Sequence, residues 1–352
     1  MTAPHPLPVH QFPGAPVAQI HARRGEGERV GVDGGEGGDD GSGGMGAREV
    51  GCLAPRLPRP AIDAARTMAS ALPPWATQKG LPMSDDRAAP ADSPLDAPSA
   101  ARMYGYFLGG HHNFAIDRRA AERALAHNPD IPLLMRTNRA FLRRAVTFLI
   151  AQGIDQFLDL GSGIPTVGNV HEVAQRLNPA ARVVYVDRDP IAVAHSRTLL
   201  QGLPNATVIQ ADVRQVPQIL SHPETHRLLD LGRPLGVLLV ALLHFVPADQ
   251  DADQLVQAVR AAIAPGSYLV ISHGTLEELS DVRIARAEAI YTPTATPLRL
   301  RPRAQIEAFF AGFELVAPGV VYVPAWRPDD PDEVFLAEPE RSLILGGVAR
   351  KP

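Results

Sequence analysis

Gln156-Phe157-Leu158-Asp159-Leu160-Gly161-Ser162-Gly163 is the stretch that decides how this chain folds. An apolar strand carrying an acid ends in a tight Gly-x-Gly turn. A second apolar run, Val183-Val184-Tyr185-Val186-Asp187, also ends in a carboxylate. In an open α/β sheet, ligands bind in the crevice outside the carboxyl ends of the strands. The first turn lets backbone N–H groups approach a bound molecule, and the second carboxylate can take both hydroxyls of a ribose. The pair reads as a nucleoside-binding half-site.

Two nucleosides compete for it. The dinucleotide fingerprint G-x-G-x-x-G needs a third glycine for close helix–strand packing and rests a pyrophosphate on the helix N-terminus. Here the third position after Gly163 is Thr166. Asp159, two residues before Gly161, is a carboxylate that a pyrophosphate site does not need. A D-x-G-x-G turn suits a ligand with a cationic amino-acid end and no phosphates, which describes S-adenosylmethionine (SAM). The turn alone also has a purely structural reading, because strand-to-helix turns need glycine.

Thr207 to Asp212 is a third apolar run with a terminal acid, and Asp212-Val213 could set an acceptor and a backbone N–H against an adenine edge. Gly236 to Ala241 is a continuous apolar run, as expected of a strand buried on both faces. It leads into Leu242-Leu243-His244-Phe245-Val246-Pro247, and Ser267 to Ser272 is a fifth strand. Helical patterns over Asp189–Leu200 and Asp251–Ile263 separate them. Alternating signals of this kind predict a parallel sheet with helices on both faces. Arg303–Ala311 reads as a helix, Gly312–Val316 as a sixth strand and Arg341–Val348 as a seventh.

With these residues in place the chain resembles the class I SAM-dependent methyltransferases from about Pro98 to the C-terminus. Within them it is similar to an actinobacterial S-adenosyl methyltransferase family long known only as a domain of unknown function. That closer resemblance is carried by Arg102-Met103-Tyr104-Gly105-Tyr106-Phe107-Leu108-Gly109-Gly110, Asn113 to Arg118, Asn138 to Val146, Gly168-Asn169-Val170-His171-Glu172 and Leu243 to Pro247. It implies a Rossmann-like, seven-stranded, mostly parallel sheet closed by an antiparallel hairpin. It also implies SAM as cofactor and an N-terminal helical lid over it. Three helices precede the first strand: one from Ser99, a plausible N-cap, to Gly109-Gly110; Ala115–His127; and Pro132–Ala151, ended by Gly153. Tyr104, Asn113, Asn138 and Arg139 are the groups the lid would bring to the cofactor. Singly, each also reads as core, turn or solvated charge.

The cofactor-binding set is therefore Asp159, Gly161, Ser162, Gly163, Asn169, Asp187, Asp189, Asp212 and Val213, with Tyr104, Asn113 and Asn138 from the lid. Asp187 is expected on the ribose, and Asp189 is a helix N-cap or a secondary contact. Asp159 is expected to hold the glycine turn and attract the amino group of the methionine end. Asn169 is preferred to Glu172, whose place in the first helical turn is ordinary macrodipole compensation. His244, just past the fourth strand, is the candidate catalytic base, since an unperturbed imidazole titrates near neutrality. Its alternative reading is a hydrogen bond to backbone that shapes the pocket; His273 is a weaker second candidate. Ser162 lacks the G-x-S-x-G nucleophile context. The loop Tyr291–Pro302 carries Arg299 and Arg301, which could meet an anionic acceptor but read better as solvated.

Composition narrows the classes. The 352 residues are 45% hydrophobic with a formal charge of −4, so there is no basic footprint for nucleic acid. The lone Cys52 excludes an intramolecular disulfide and a cysteine zinc cluster. Adjacent His111 and His112 lack partners at metal-ligand spacing, so no metal is expected. No apolar stretch reaches the ~20 residues of a bilayer span and no secretory leader is visible, which predicts a cytoplasmic protein. Residues 1–82, rich in glycine and proline, cannot bury enough apolar surface to offset their ordering entropy and are expected to be disordered. Residues 83–153 form the helical lid region and 154–352 the SAM-binding domain.

Three functions stay open: a methyltransferase acting on a small-molecule acceptor, a non-catalytic SAM-binding regulator, and a nicotinamide-dependent oxidoreductase, which Thr166 disfavours. The oligomeric state is not legible. Met83 is a candidate true start, because Ser84–Pro98 already looks like a polar lead-in. Mass spectrometry of the native protein is then expected to find no peptide from residues 1–80, and an abundant one would reject that start.

Overall fold

A computed structural model describes residues 97–352 apart from 165–167 and 295. The chain divides into two units, Met1–Pro82 and Met83–Pro352, and the described residues belong to the second. The expected disordered leader, most of the polar lead-in and Thr166 lie outside the described residues.

Side-chain alternation builds the central layer. In β1 (Gln156–Leu160) every residue is buried. Leu158 and Leu160 face one apolar cluster while Phe157 faces the other. β2 (Arg182–Asp187) repeats this, with Val184 and Val186 opposite Val183 and Tyr185. A strand buried on both faces needs apolar side chains at odd and even positions alike. Asp159 thus shares the face of Phe157. Burying one such side chain contributes roughly 1.5–3 kcal/mol, and the two clusters hold the sheet between two helical layers.

β3 (Ala206–Gln210), β4 (Gly236–Val240) and β5 (Tyr268–Gly274) complete the parallel part. The sheet runs β3-β2-β1-β4-β5, followed by β8 (Ile344–Arg350) and β6 (Glu314–Leu315), and β7 (Val321–Tyr322) also pairs with β8. β8 is antiparallel to β5, β6 and β7. Strand order reverses between β1 and β4, which opens the crevice at their carboxyl ends.

The expected α/β architecture holds, with differences at its edge. Eight strands replace the expected seven. The additional strand is the two-residue β7, formed only by pairing with β8. The last strand starts at Ile344 rather than Arg341, because Pro339–Ser342 take a 3₁₀ turn and Leu343 adopts φ 52. The sixth strand shrinks to Glu314–Leu315.

Ahead of the sheet come α1 (Ala100–Phe107), α2 (Ala115–His127) and α3 (Ile131–Ala151). Met103 and Phe107, one turn apart on α1, pack on Ala120, Ala121 and Ala124 of α2. α3 buries Leu134, Phe141, Ala145 and Leu149 along one stripe and ends where Gly153 takes φ +85. Arg144 on its buried side donates to the carbonyls of Trp326 and Val323 at 2.9 and 2.7 Å and pairs with Glu333. Between the strands lie α4 (Val170–Leu177), α5 (Pro190–Leu199), α6 (Val216–Leu220), α7 (Pro223–Leu228), α8 (Asp249–Ala262), α9 (Asp281–Tyr291) and α10 (Arg303–Ala308).

Arg301 corrects the reading of its loop as solvated. Its side chain is 1% exposed. Its guanidinium donates to Asp249 (3.0 Å), the Leu243 and Val246 carbonyls (both 2.8 Å) and His273 Nε2 (2.9 Å). It fastens the loop after α9 to the segment after β4. Arg299 is the exposed partner of the two. Removing a buried hydrogen-bonded charge strands its acceptors, so Arg301→Met is expected to lower unfolding free energy by about 3 kcal/mol. Urea titration checks this, and an unchanged midpoint would contradict the anchoring role.

Candidate functional site

The crevice holds a cavity of about 450 Å³. Its floor is the turn after β1. Gly161 and Gly163 take φ +74 and +66, the left-handed region that glycine enters without strain. A Cβ at Gly161 would stand 2.4 Å from Leu242 Cδ1. The Gly161 and Ser162 N–H groups both donate to the Val186 carbonyl, at 2.8 and 3.1 Å, and the Gly163 N–H donates to Asp187 Oδ2 at 2.7 Å. The turn is therefore held from β2. This corrects the expectation that Asp159 holds it.

Asp187 Oδ1 also accepts from the Asp189 N–H at 2.8 Å. Asp189 caps α5 by accepting from the Ile191 N–H at 2.9 Å. Its other oxygen accepts from Ser99 Oγ at 2.6 Å and Arg102 at 3.0 Å. The Ser99 hydroxyl is thus spent on Asp189 rather than on capping α1. Arg102, 3% exposed, also donates to Asp117 at 2.8 Å, and Asp117 is fully buried. This network ties α1 and α2 to the Asp187 side of the cleft.

On the opposite wall, Asp159 lines the cavity with Asn138 and Arg139 from α3. Asn138 donates to the Tyr104 hydroxyl at 3.0 Å and accepts from Ser272 Oγ at 2.6 Å. Arg139 donates to the Gly168 carbonyl at 2.8 Å; it is a wall residue, not a solvated helix charge. Burial pushes the Asp159 carboxyl up to about 7, against the pull of Arg139, with Asp187 adding repulsion. Burial also raises Asp187 to about 6, opposed by the backbone N–H groups of Asp189 and Gly163. Two poorly solvated carboxylates in one cleft favour a cationic ligand. Ser162 Oγ is buried without a hydrogen-bond partner among the described residues.

Of the sequence candidates, Asp159, Gly161, Ser162, Gly163, Asp187, Asp189, Val213, Tyr104 and Asn138 line this cavity. Four do not. Asn113 donates to the Gly110 carbonyl at 2.8 Å and takes a hydrogen bond from Arg118, as a turn residue does. Asn169 stands at the N-terminus of α4, its amide donating to Glu172 at 3.0 Å. Asp212 is claimed by Arg214 two residues on, at 2.6 Å, which holds its carboxyl below the usual range. Gln210, Leu242, Phe245 and Thr296 line the cavity without having been singled out. Leu242 and Phe245 lay in the quoted run after the fourth strand, and Gln210 in the third apolar run.

His244 belongs to a second cavity of about 190 Å³. Its Nδ1 accepts from the Gly274 N–H at 3.2 Å. Burial holds this imidazole well below its ordinary pKa, with His273 and Arg301 adding to the depression. The only lone pair of the neutral ring is occupied by Gly274, so Nε2 carries the proton. His244 thus makes the backbone hydrogen bond of its alternative reading. The two cavities share Ala100, Tyr104, Ala241 and Phe245 as walls.

An open α/β sheet with a glycine turn after β1 and an acid ending β2 defines a nucleoside-binding enzyme fold. The chain belongs to the S-adenosyl methyltransferase family, whose model matches residues 87–352. It is similar to a crystal structure from Thermobifida fusca YX described as a methyltransferase, with 43% identity, 73% of this chain and 96% of that one covered, and a TM-score of 0.68. A DUF574 family protein from Streptomyces avermitilis MA-4680 shares 39% identity over 73% of this chain and 98% of its own, also with a TM-score of 0.68. A trans-aconitate 2-methyltransferase from Variovorax paradoxus S110 is 30% identical over 48% of this chain and 59% of its own length. The chain spans less than two thirds of the curated relatives it matches. SAM is the cofactor of the family. No helix of the described residues is long and apolar enough to cross a membrane.

The raised carboxyls give a pH signature. A cation beside Asp159 and Asp187 favours their ionised forms, so binding near pH 6 must expel protons these groups hold in the free protein. SAM affinity is expected to weaken as pH falls from 8 to 5.5, with net proton release at pH 6. Calorimetry in two buffers of different ionisation enthalpy reads this, and proton uptake would contradict it.

Proposed function

We propose that the protein transfers the methyl group of SAM to a small molecule held in the 190 Å³ cavity beside the cofactor cleft. The observation that carries this reading is the common wall of the two cavities, which sets a donor and an acceptor in adjoining chambers. The relative of 30% identity is named for a small organic acid, which supports a small-molecule acceptor. The net charge of −4 argues against nucleic acid.

The residues present fit the cofactor. Asp187 lies at the end of β2, where a ribose is held. Asp159 and Arg139 offer opposite charges to the zwitterionic amino-acid end, and the orphaned Ser162 hydroxyl gains a partner there. With the Asp212 carboxylate claimed by Arg214, the adenine edge falls to Val213 and Gln210. When bound, SAM supplies a methyl group activated by the sulfonium charge. The work of the chain is then to align two reactants and exclude water, and good alignment supplies ~7–11 kcal/mol in the best intramolecular cases.

Asp187→Ala removes a charged hydrogen-bond acceptor that contributes ~1.5–3 kcal/mol. It is expected to weaken SAM binding by about 10- to 100-fold with the circular dichroism spectrum retained. Unchanged affinity by calorimetry would remove Asp187 from the cofactor site and the proposed cleft with it.

A further inference from the structure

The second cavity has a consistent chemistry of its own. Its lining is mostly apolar, with Ile131, Leu134, Met135, Leu279, Ile290 and Leu298 on several sides, and no aspartate or glutamate lines it among the described residues. The polar groups that reach it are donors or are held neutral. Burial raises the Tyr104 and Tyr291 phenols, the latter to about 12. The Tyr104 hydroxyl is already used, accepting from Asn138 and donating to the Met135 carbonyl at 3.4 Å. His244, 8% exposed, has no hydrogen-bond partner for Nε2 among the described residues. Arg283 and Arg286, three residues apart on α9, line the same cavity, are exposed, and make no ion pair with any described residue. His127 stands exposed at the rim.

The placement of α9 sharpens this. It packs along α2, and Tyr291 at its end lies 5.4 Å from the ring of Phe245, one of the side chains common to both cavities. No α9 residue is fully buried. The arginines thus stand on a helix that covers the second chamber, while His244 lies on the segment leading from the cofactor side.

We propose that this chamber selects an apolar carboxylic acid as the methyl acceptor, with Arg283 and Arg286 attracting its charge and His244 Nε2–H donating to a carboxylate oxygen. The inference rests on the methyl-transfer reading above. An apolar cavity of roughly 150 Å³ takes a benzene ring. One of about 190 Å³ takes a single ring or short chain with a small polar end. The step balances without a base. A carboxylate oxygen uses a lone pair to form the new C–O bond as the C–S bond breaks and its electron pair returns to sulfur. No proton is released, and the opposite charges of the two reactants cancel to give a neutral ester and a neutral thioether. A phenol or ammonium acceptor would have to lose a proton, and His244 has no free lone pair to take it. Charge cancellation also proceeds more readily in an apolar, water-poor chamber than in water.

The test is binding by the full chain, first to S-adenosylhomocysteine alone and then, in its saturating presence, to 3-phenylpropanoate, 3-phenylpropanamide and phenethylamine. The acid is expected to bind at least about tenfold more tightly than the amide or the amine. The exposed double variant Arg283→Glu/Arg286→Glu is expected to lose that preference while its S-adenosylhomocysteine affinity stays unchanged. No binding of the acid, equal or tighter binding of the amide or amine, or a preference that survives the double variant would each overturn the carboxylate assignment. Failure to bind S-adenosylhomocysteine would instead strike the methyl-transfer reading itself.

Discussion

At the carboxyl end of β2 a single side chain closes two turns at once. One Asp187 oxygen takes the Gly163 N–H and the other takes the Asp189 N–H. The glycine turn has no side chains with which to hold its own shape, so its conformation is imposed from the neighbouring strand. A carboxylate is suited to this because it accepts several hydrogen bonds while remaining a charge. Desolvation opposes that charge and lifts the group to about 6. Asp159, with fewer compensations, rises further, to about 7. The sheet thus carries two destabilised anions at its switch point. A cationic ligand relieves both.

The helices ahead of the sheet are joined to this point by charge rather than by apolar packing alone. Arg102 bridges Asp117 on α2 and Asp189 at the start of α5. A buried bridge adds little net stability over an apolar equivalent, but its geometry is specific. It fixes the register of α1 over the cleft, so that Ala100 and Tyr104 become walls common to both cavities. Arg144 and Arg301 do comparable work elsewhere, each gathering carbonyls from segments distant in sequence. Three buried guanidiniums thereby fasten the helices ahead of the sheet, the C-terminal segment and the loop after α9.

Where local pattern governs, the sequence was readable. Ala115–His127 forms the helix its punctuation by Asn128-Pro129 predicts. The Phe-Leu-Asp-Leu and Val-Val-Tyr-Val runs form the two strands beside the switch point. Positions set by distant partners were not readable. Val321-Tyr322 is a strand only because β8 passes beside it. Arg341 reads as strand but falls within a turn opened by Pro339. Arg301 looks like any loop arginine until four acceptors from three segments surround it. In the cleft, the glycine turn and its two acids stood out by spacing. Asp212 pairs with Arg214, a local contact that offers no periodic signal. For His244, no sequence pattern says which ring nitrogen meets Gly274. Arg283 and Arg286 carry no motif; only their place over the second cavity distinguishes them.

Ala100, Tyr104, Ala241 and Phe245 border both cavities. Two chambers with a common wall invite one molecule that fills both. A compound joining an adenosyl group to a carboxylate-bearing ring by a short tether would face a second site at millimolar effective concentration once its first half had docked. Its association constant would then be the product of the two separate constants scaled by that effective concentration. The geometry that brings reactants together is equally a template for a selective bisubstrate inhibitor.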